Sequence, residues 1–201
     1  MPEKPLRDIS SVSPDPTALK ALAHPVRLRM LGLLRIDGPA TASGLAARLG
    51  LNSGATSYHL RQLALHGFIV EDAGRGNARE RWWRAAHEST NFGEGDGGND
   101  ALEAGVAFSQ AALNGQIRQM QRALQHHARL TPDWRKASTV SDYYIPLTSG
   151  QAETLITKLQ DLLWETMQSA PPLGTDYPEG VEPFAVILHA FPRPPEDEGQ
   201  S

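Results

Sequence analysis

A chain of 201 residues that is 40% apolar can bury one large core or two small ones. Having no cysteine, it can form no disulfide, thiolate metal site or cysteine nucleophile. The net charge of −4 conceals an asymmetry: residues 1–84 carry 12 Lys+Arg against 7 Asp+Glu, and residues 85–201 carry 7 against 16. A basic front half joined to an acidic back half fits a module that meets a polyanion and one that does not. The longest apolar run, residues 184–190, is far too short to span a bilayer and contains His189. No leader-like apolar segment follows the N-terminal charges, so the expectation is a cytoplasmic protein with no membrane partner.

Residues 1–13 are polar and proline-bearing and are expected to be a disordered tail. Asp15-Pro16 supplies a cap and an N1 proline for a short helix through Leu19 and Leu22. Pro25 opens a second helix, with Val26, Met30, Leu33 and Leu34 on one face, ending at Asp37-Gly38. Thr41 can cap a third, residues 42–49, with Leu45, Ala46 and Leu49 inward and Gly50 closing it. The short turn 50–52 then leads to a fourth helix over residues 53–66.

That fourth helix has two unlike faces. At about 100° per residue, Thr56, His59, Leu60, Leu63 and Ala64 share the arc that should be buried. Gly54, Ser57, Tyr58 and Arg61 fall on the opposite arc, with Ser53 at the N-terminal end. Such a slim polar face can lie in a DNA major groove and offer Ser57, Tyr58 and Arg61 to base edges. A strand pair is expected next, residues 68–72 and 79–85, flanking a Gly74-Arg75-Gly76-Asn77 loop. Its Arg75, Arg79, Arg81 and Arg84 are set against Glu80, a pattern suited to gripping backbone phosphates. Trp82 and Trp83 should point to opposite faces of the second strand, and His59 reads as a packed residue.

Three stretches carry a family resemblance. LKALAHPVRLRMLGLL (residues 19–34) resembles the opening of ArsR-type transcriptional regulators. SYHLRQLALHGFI (residues 57–69) is similar to their recognition helix and first wing strand, and GRGNARERWW (residues 74–83) to their wing. The resemblance covers about residues 15–87. It implies a homodimeric, usually repressing, DNA-binding regulator; the element order helix, helix, turn, helix, hairpin is itself that of a winged helix-turn-helix, and a two-fold dimer calls for double-stranded DNA with an inverted-repeat operator. Carried over by position, Ser57, Tyr58 and Arg61 would read DNA while Arg79 and Arg81 hold its backbone. One departure matters: many members sense metals through cysteines, and this chain has none, so thiolate sensing of arsenic or cadmium is excluded.

Residues 88–99 read as a glycine-rich linker. Asp100 and Glu103 resemble a capping box opening a long helix to about residue 129. Val106, Leu113, Ile117, Met120 and Leu124 form a four-three seam along it, the expected dimerisation surface. Strands are expected at 139–147 and 184–191, around a helix from Thr148 to about residue 168 whose Leu155, Ile156, Leu159, Leu162, Leu163 and Met167 face inward. The whole is an α+β chain: winged helix over 14–87, linker, a helix-strand module for dimerisation and ligand binding over 100–192, and a disordered tail from 193.

No phosphate loop, nucleophile elbow or His-Glu-x-x-His pattern is present, so neither an enzyme nor a cofactor is expected. No metal site is expected either; His126 and His127 are adjacent and diverge on a helix, leaving only a cross-dimer site at residue 127 as a minor option. The leading reading is a repressor released by a non-thiol effector, a small organic molecule held between the two long helices. A constitutive DNA-binding dimer with a purely structural C-terminal module is one alternative, and a winged module binding protein or RNA is another.

Overall fold

The computed structural model describes residues 6–75, 80–91 and 98–195. In chain order come β1 (Ser11–Val12), α1 (Pro16–Leu22), α2 (Pro25–Ile36), β2 (Ala40–Thr41), α3 (Ala42–Leu49) and α4 (Ser53–Leu65). Then follow β3 (Ile69–Glu71), β4 (Trp82–Ala85), β5 (Ser89–Thr90), α5 (Gly98–His126), a 3-10 turn (His127–Arg129), α6 (Pro132–Ala137) and α7 (Ser149–Ser169).

Local chemistry sets the helix ends of the front half. Asp15 accepts from the Ala18 amide at 2.8 Å, Thr41 from Gly44 at 3.1 Å and Asn52 from Ala55 at 2.8 Å, each relieving an orphan N-terminal donor. Gly50 ends α3 in the left-handed region at φ 66°, which lets the Leu51 amide donate back to the Ala46 carbonyl at 3.0 Å. Gly67, at φ 74°, ends α4 in the same way and turns the chain into β3.

The core lies between these helices. Leu22, Met30, Leu31, Leu34, Leu45, Leu60, Leu63, Phe68 and Ile69 are each at most 2% exposed, with Trp83 closing the edge from β4. Trp82, on the other face of the same strand, is half-buried. Three helices with an antiparallel β3–β4 hairpin make this an α+β winged helix-turn-helix followed by a long helix. The hairpin acquires a third strand that the sequence reading missed: β2 pairs with β4, giving the order β2-β4-β3. Arg35, half-buried and with its pKa pushed down to about 10 by desolvation, ties α2 to the chain after the wing. It donates to the His87 carbonyl at 2.9 Å and to Thr90 Oγ1 at 2.8 Å.

Four expectations need correction. The last part of the supposed N-terminal tail packs: Ile9 is 4% exposed, and β1 pairs in parallel with β5, Ser11 opposite Ser89. The Asp100/Glu103 capping box does not open α5, which already includes residues 98 and 99, and the Glu103 carboxylate is taken by Lys20 at 3.0 Å. Helix α5 gives way to a 3-10 turn at His127, so the cross-dimer site at residue 127 loses the helical position it assumed. Residues 139–147 and 184–191 are extended but form no strand, and α7 buries none of its residues within the chain. No helix among the described residues is long and apolar enough to cross a membrane.

Leu60 is wholly enclosed, whereas Leu65 on the same helix is 74% exposed. Leu60→Ala should lower the unfolding free energy by about 2–5 kcal/mol through lost burial and the cavity left behind. Leu65→Ala should stay within about 0.5 kcal/mol. Urea denaturation of both variants measures the difference.

Candidate nucleic-acid interface

Helix α4 is anchored through one side only. Thr56, Leu60 and Leu63 are at most 1% exposed, and the Thr56 hydroxyl donates to the Asn52 carbonyl at 3.0 Å, fastening the first turn. His59 and Ala64 complete the inner arc as half-buried residues. On the outside, Ser53, Gly54, Tyr58 and Arg61 are exposed and Ser57 is half-buried. Arg61 has no ion-pair partner among the described residues. The five helix positions singled out from sequence therefore share one accessible face at the N-terminal part of α4, where helical amides favour anionic groups.

The wing is more balanced electrically than its arginine count implied. Arg81 lies 3.1 Å from Glu71 across the β3–β4 hairpin and 5.6 Å above the Trp83 ring. Arg75 pairs with Asp72 at 3.4 Å. Sequence reasoning weighed these arginines against Glu80 alone and overlooked Glu71 and Asp72. The strand register, with Glu71 opposite Trp83, is what brings Glu71 within reach of Arg81. Arg84 remains exposed, and Arg79 lies outside the described residues. Exposed pairs of this kind contribute about 0–1 kcal/mol, so a phosphate can displace the carboxylate at small cost.

Beneath α4 lies a polar cluster that sequence reasoning also missed. His24 caps α2, its Nδ1 accepting from the Val26 amide at 3.2 Å, which requires that nitrogen to be unprotonated. Its ring centroid stands 4.6 Å from that of His59, and Tyr58 sits edge-on to His59 at 5.4 Å. Burial, then proximity to His24 and Arg27, pushes the His59 pKa down. Burial, then Arg27, does the same for His24. Arg27 is itself lowered by desolvation, partly offset by Tyr58. The histidine immediately before Pro25 was the one available signal, since a residue there must be the helix cap.

The dimerisation candidates Val106, Leu113, Ile117, Met120 and Leu124 are 37–62% exposed. Helix α5 instead meets the core through Ala104, Gly105 and Ala111, with Phe108 packed beside them. No group of three metal-ligating side chains exists among the described residues, at His126 and His127 or elsewhere. A shallow groove of about 650 Å³ is lined by Ile36, Asp37, Arg75, Gly174, Thr175, Asp176, Tyr177 and Pro183.

Both histidines have folded-state pKa values below the ordinary 6.5. The unfolded chain therefore binds more protons as pH falls through that value, and stability must fall with it. Urea midpoints should be level above about pH 6.5 and decline below it. His59→Gln should show a shallower decline, read from the same midpoints across pH 5 to 7.

Residues 22–72 match a family model described as a helix-turn-helix domain. Comparison with curated proteins gives no match. Among solved structures, similar chains include reduced HlyU from Vibrio cholerae N16961, at 21% identity and TM-score 0.31, covering 49% of this chain and 82% of that one. An apo double mutant of ZitR from Lactococcus lactis gives 12% identity and TM-score 0.32, covering 70% and 83%. The transcriptional regulator Tm0710 from Thermotoga maritima gives 10% and 0.30, covering 73% and 82%. What this chain shares with the matched family model is the helix-turn-helix segment that carries α4 and enters the wing.

Proposed function

We propose that the chain is a sequence-specific DNA-binding transcriptional regulator of the winged helix-turn-helix type, acting as a homodimer on an inverted repeat. The observation that carries this reading is the exposed outer face of α4, with an arginine that pairs with no carboxylate among the described residues, on a helix whose other side buries Thr56, Leu60 and Leu63. Inserted in the major groove, Arg61 suits bidentate contact with a guanine edge, and Ser53, Gly54, Ser57 and Tyr58 leave the groove walls unobstructed. Arg75 and Arg81 exchange carboxylates for phosphates, and with Arg79, assigned from sequence, they fix register without reading sequence. The seam residues of α5 face a second copy, which places two α4 helices about one DNA turn apart.

Repression with release by an organic effector is the finer proposal. The pocket expected between the long helix and α7 is unsupported, because α7 encloses nothing within one chain. The groove beside Arg75 and Tyr177 is the better candidate, because it joins the wing to the C-terminal segment. An effector there would act by binding differently to DNA-competent and incompetent dimers.

Selection from random duplexes should return a palindromic consensus. Arg61→Ala should cost about 1–3 kcal/mol per contact and relax preference at one base position per half-site. Arg81→Ala should weaken all sequences alike and flatten the dependence of binding on salt. Fluorescence anisotropy at several salt concentrations checks both. A change of preferred sequence in Arg81→Ala with none in Arg61→Ala would reverse the assignment of helix and wing.

A further inference from the structure

After Ala111 no described residue is buried within one copy. Among the described residues, twenty of the twenty-five exposed large hydrophobic side chains follow residue 100, including Val140, Tyr143, Ile145, Phe184, Val186 and Phe191. The surface totals 14840 Å². A compact monomer of this length would expose roughly 9,000–9,500 Å², so several thousand Å² are surplus. That surplus is the scale of obligate homodimer interfaces, which bury about 2,000–5,000 Å².

Nine of those twenty side chains lie on strand-like material. Residues 139–147 and 184–191 are extended, and their backbone amides and carbonyls make no backbone hydrogen bond to another described residue. Residues 184–191 read FAVILHAF, apolar on both faces at a period of two, as in a central strand. Edges left free in monomers are guarded by charge or proline. Here the 17 residues of the two segments include one acid, Asp142, one histidine, His189, and one proline, Pro146. Residues 184–191 and the end of α7 are nevertheless tied to other parts of the chain. His189 meets Gln116 of α5 at 2.9 Å, Phe184 stacks on Trp134 at 6.1 Å, and Arg7 donates to the Met167 and Ala170 carbonyls at the end of α7.

We propose that residues 139–191 are half of an intertwined module completed by a second copy of this chain. The extended segments of the two copies hydrogen-bond to each other as strands, and the apolar side of α7 with the α5 seam closes over the sheet. The near absence of charge on both segments removes the repulsion that would otherwise oppose pairing of like edges. The proposal rests on the dimer reading above and adds to it: the seam alone would leave both extended segments in water.

Sedimentation combined with hydrogen exchange on the intact, unmodified protein tests it. The protein should sediment as a dimer, with amides of 140–145 and 185–191 exchanging about a hundredfold or more slower than in an unfolded peptide. Dilution below the dissociation constant should abolish that protection while leaving the α4 amides protected. Because the chain has no cysteine, Tyr143→Cys and Val186→Cys proteins can also be mixed, and cross-linking between the two species is expected. A dimer whose 140–145 and 185–191 amides exchange freely overturns the intertwined module but leaves an α5 dimer standing. A monomer with those amides protected overturns it by showing strand pairing within one chain. A monomer with free amides overturns both readings.

Discussion

The structure depends on the one-sided burial of α4. Thr56, Leu60 and Leu63 vanish into the core at a spacing that leaves the opposite arc clear of it. Three fully enclosed side chains fix the helix in rotation as well as position, so Arg61 and Tyr58 cannot turn inward without exposing Leu60. The Asn52 cap and the left-handed Gly50 set where the helix begins and how steeply it crosses α3. Phe68, following the left-handed Gly67, then carries the chain from the end of α4 into the wing. Helix and wing are thus placed by the same few core residues, which keeps the two proposed DNA contacts in register.

Electrostatics divides the labour between them. Two wing arginines, Arg75 and Arg81, rest on Asp72 and Glu71, while Arg61 on α4 has no ion-pair partner among the described residues. Arginines already paired with carboxylates lose part of their attraction for DNA but gain a defined orientation across the hairpin. The acidic back half repels a polyanion and so favours approach through the front. Below α4, the His24–His59 contact beside Arg27 leaves little tolerance for added positive charge. The positions of Tyr58 and of the α2 cap are therefore tied to the same neutral pair.

Local chemistry was legible in the sequence, and distant partnership was not. Pro16, Pro25, Thr41, Asn52 and Gly50 mark helix ends through contacts within four residues, and those ends appear at or beside the expected positions. The inner arc of α4 followed from periodicity alone. By contrast, β1 joins β5 across 78 residues between Ser11 and Ser89, and no local pattern announces that. Glu103 matched a capping box, but Lys20, far away in sequence, took its carboxylate. The segments expected as strands, 139–147 and 184–191, are extended and largely apolar, but a β-strand requires a partner and one chain does not supply it. Glu71 and Asp72 were visible as residues; their pairing with the wing arginines depends on the hairpin register.

The central claim is that the outer face of α4 and the wing together meet DNA. Amide chemical-shift mapping of the full-length protein against its selected duplex tests it most directly. The account predicts that the largest changes fall on Ser53–Arg61 and on the β3–β4 hairpin, with α7 little affected. Changes confined to α5 and α7, with the amides of Ser53, Gly54, Ser57, Tyr58 and Arg61 unmoved, would contradict it.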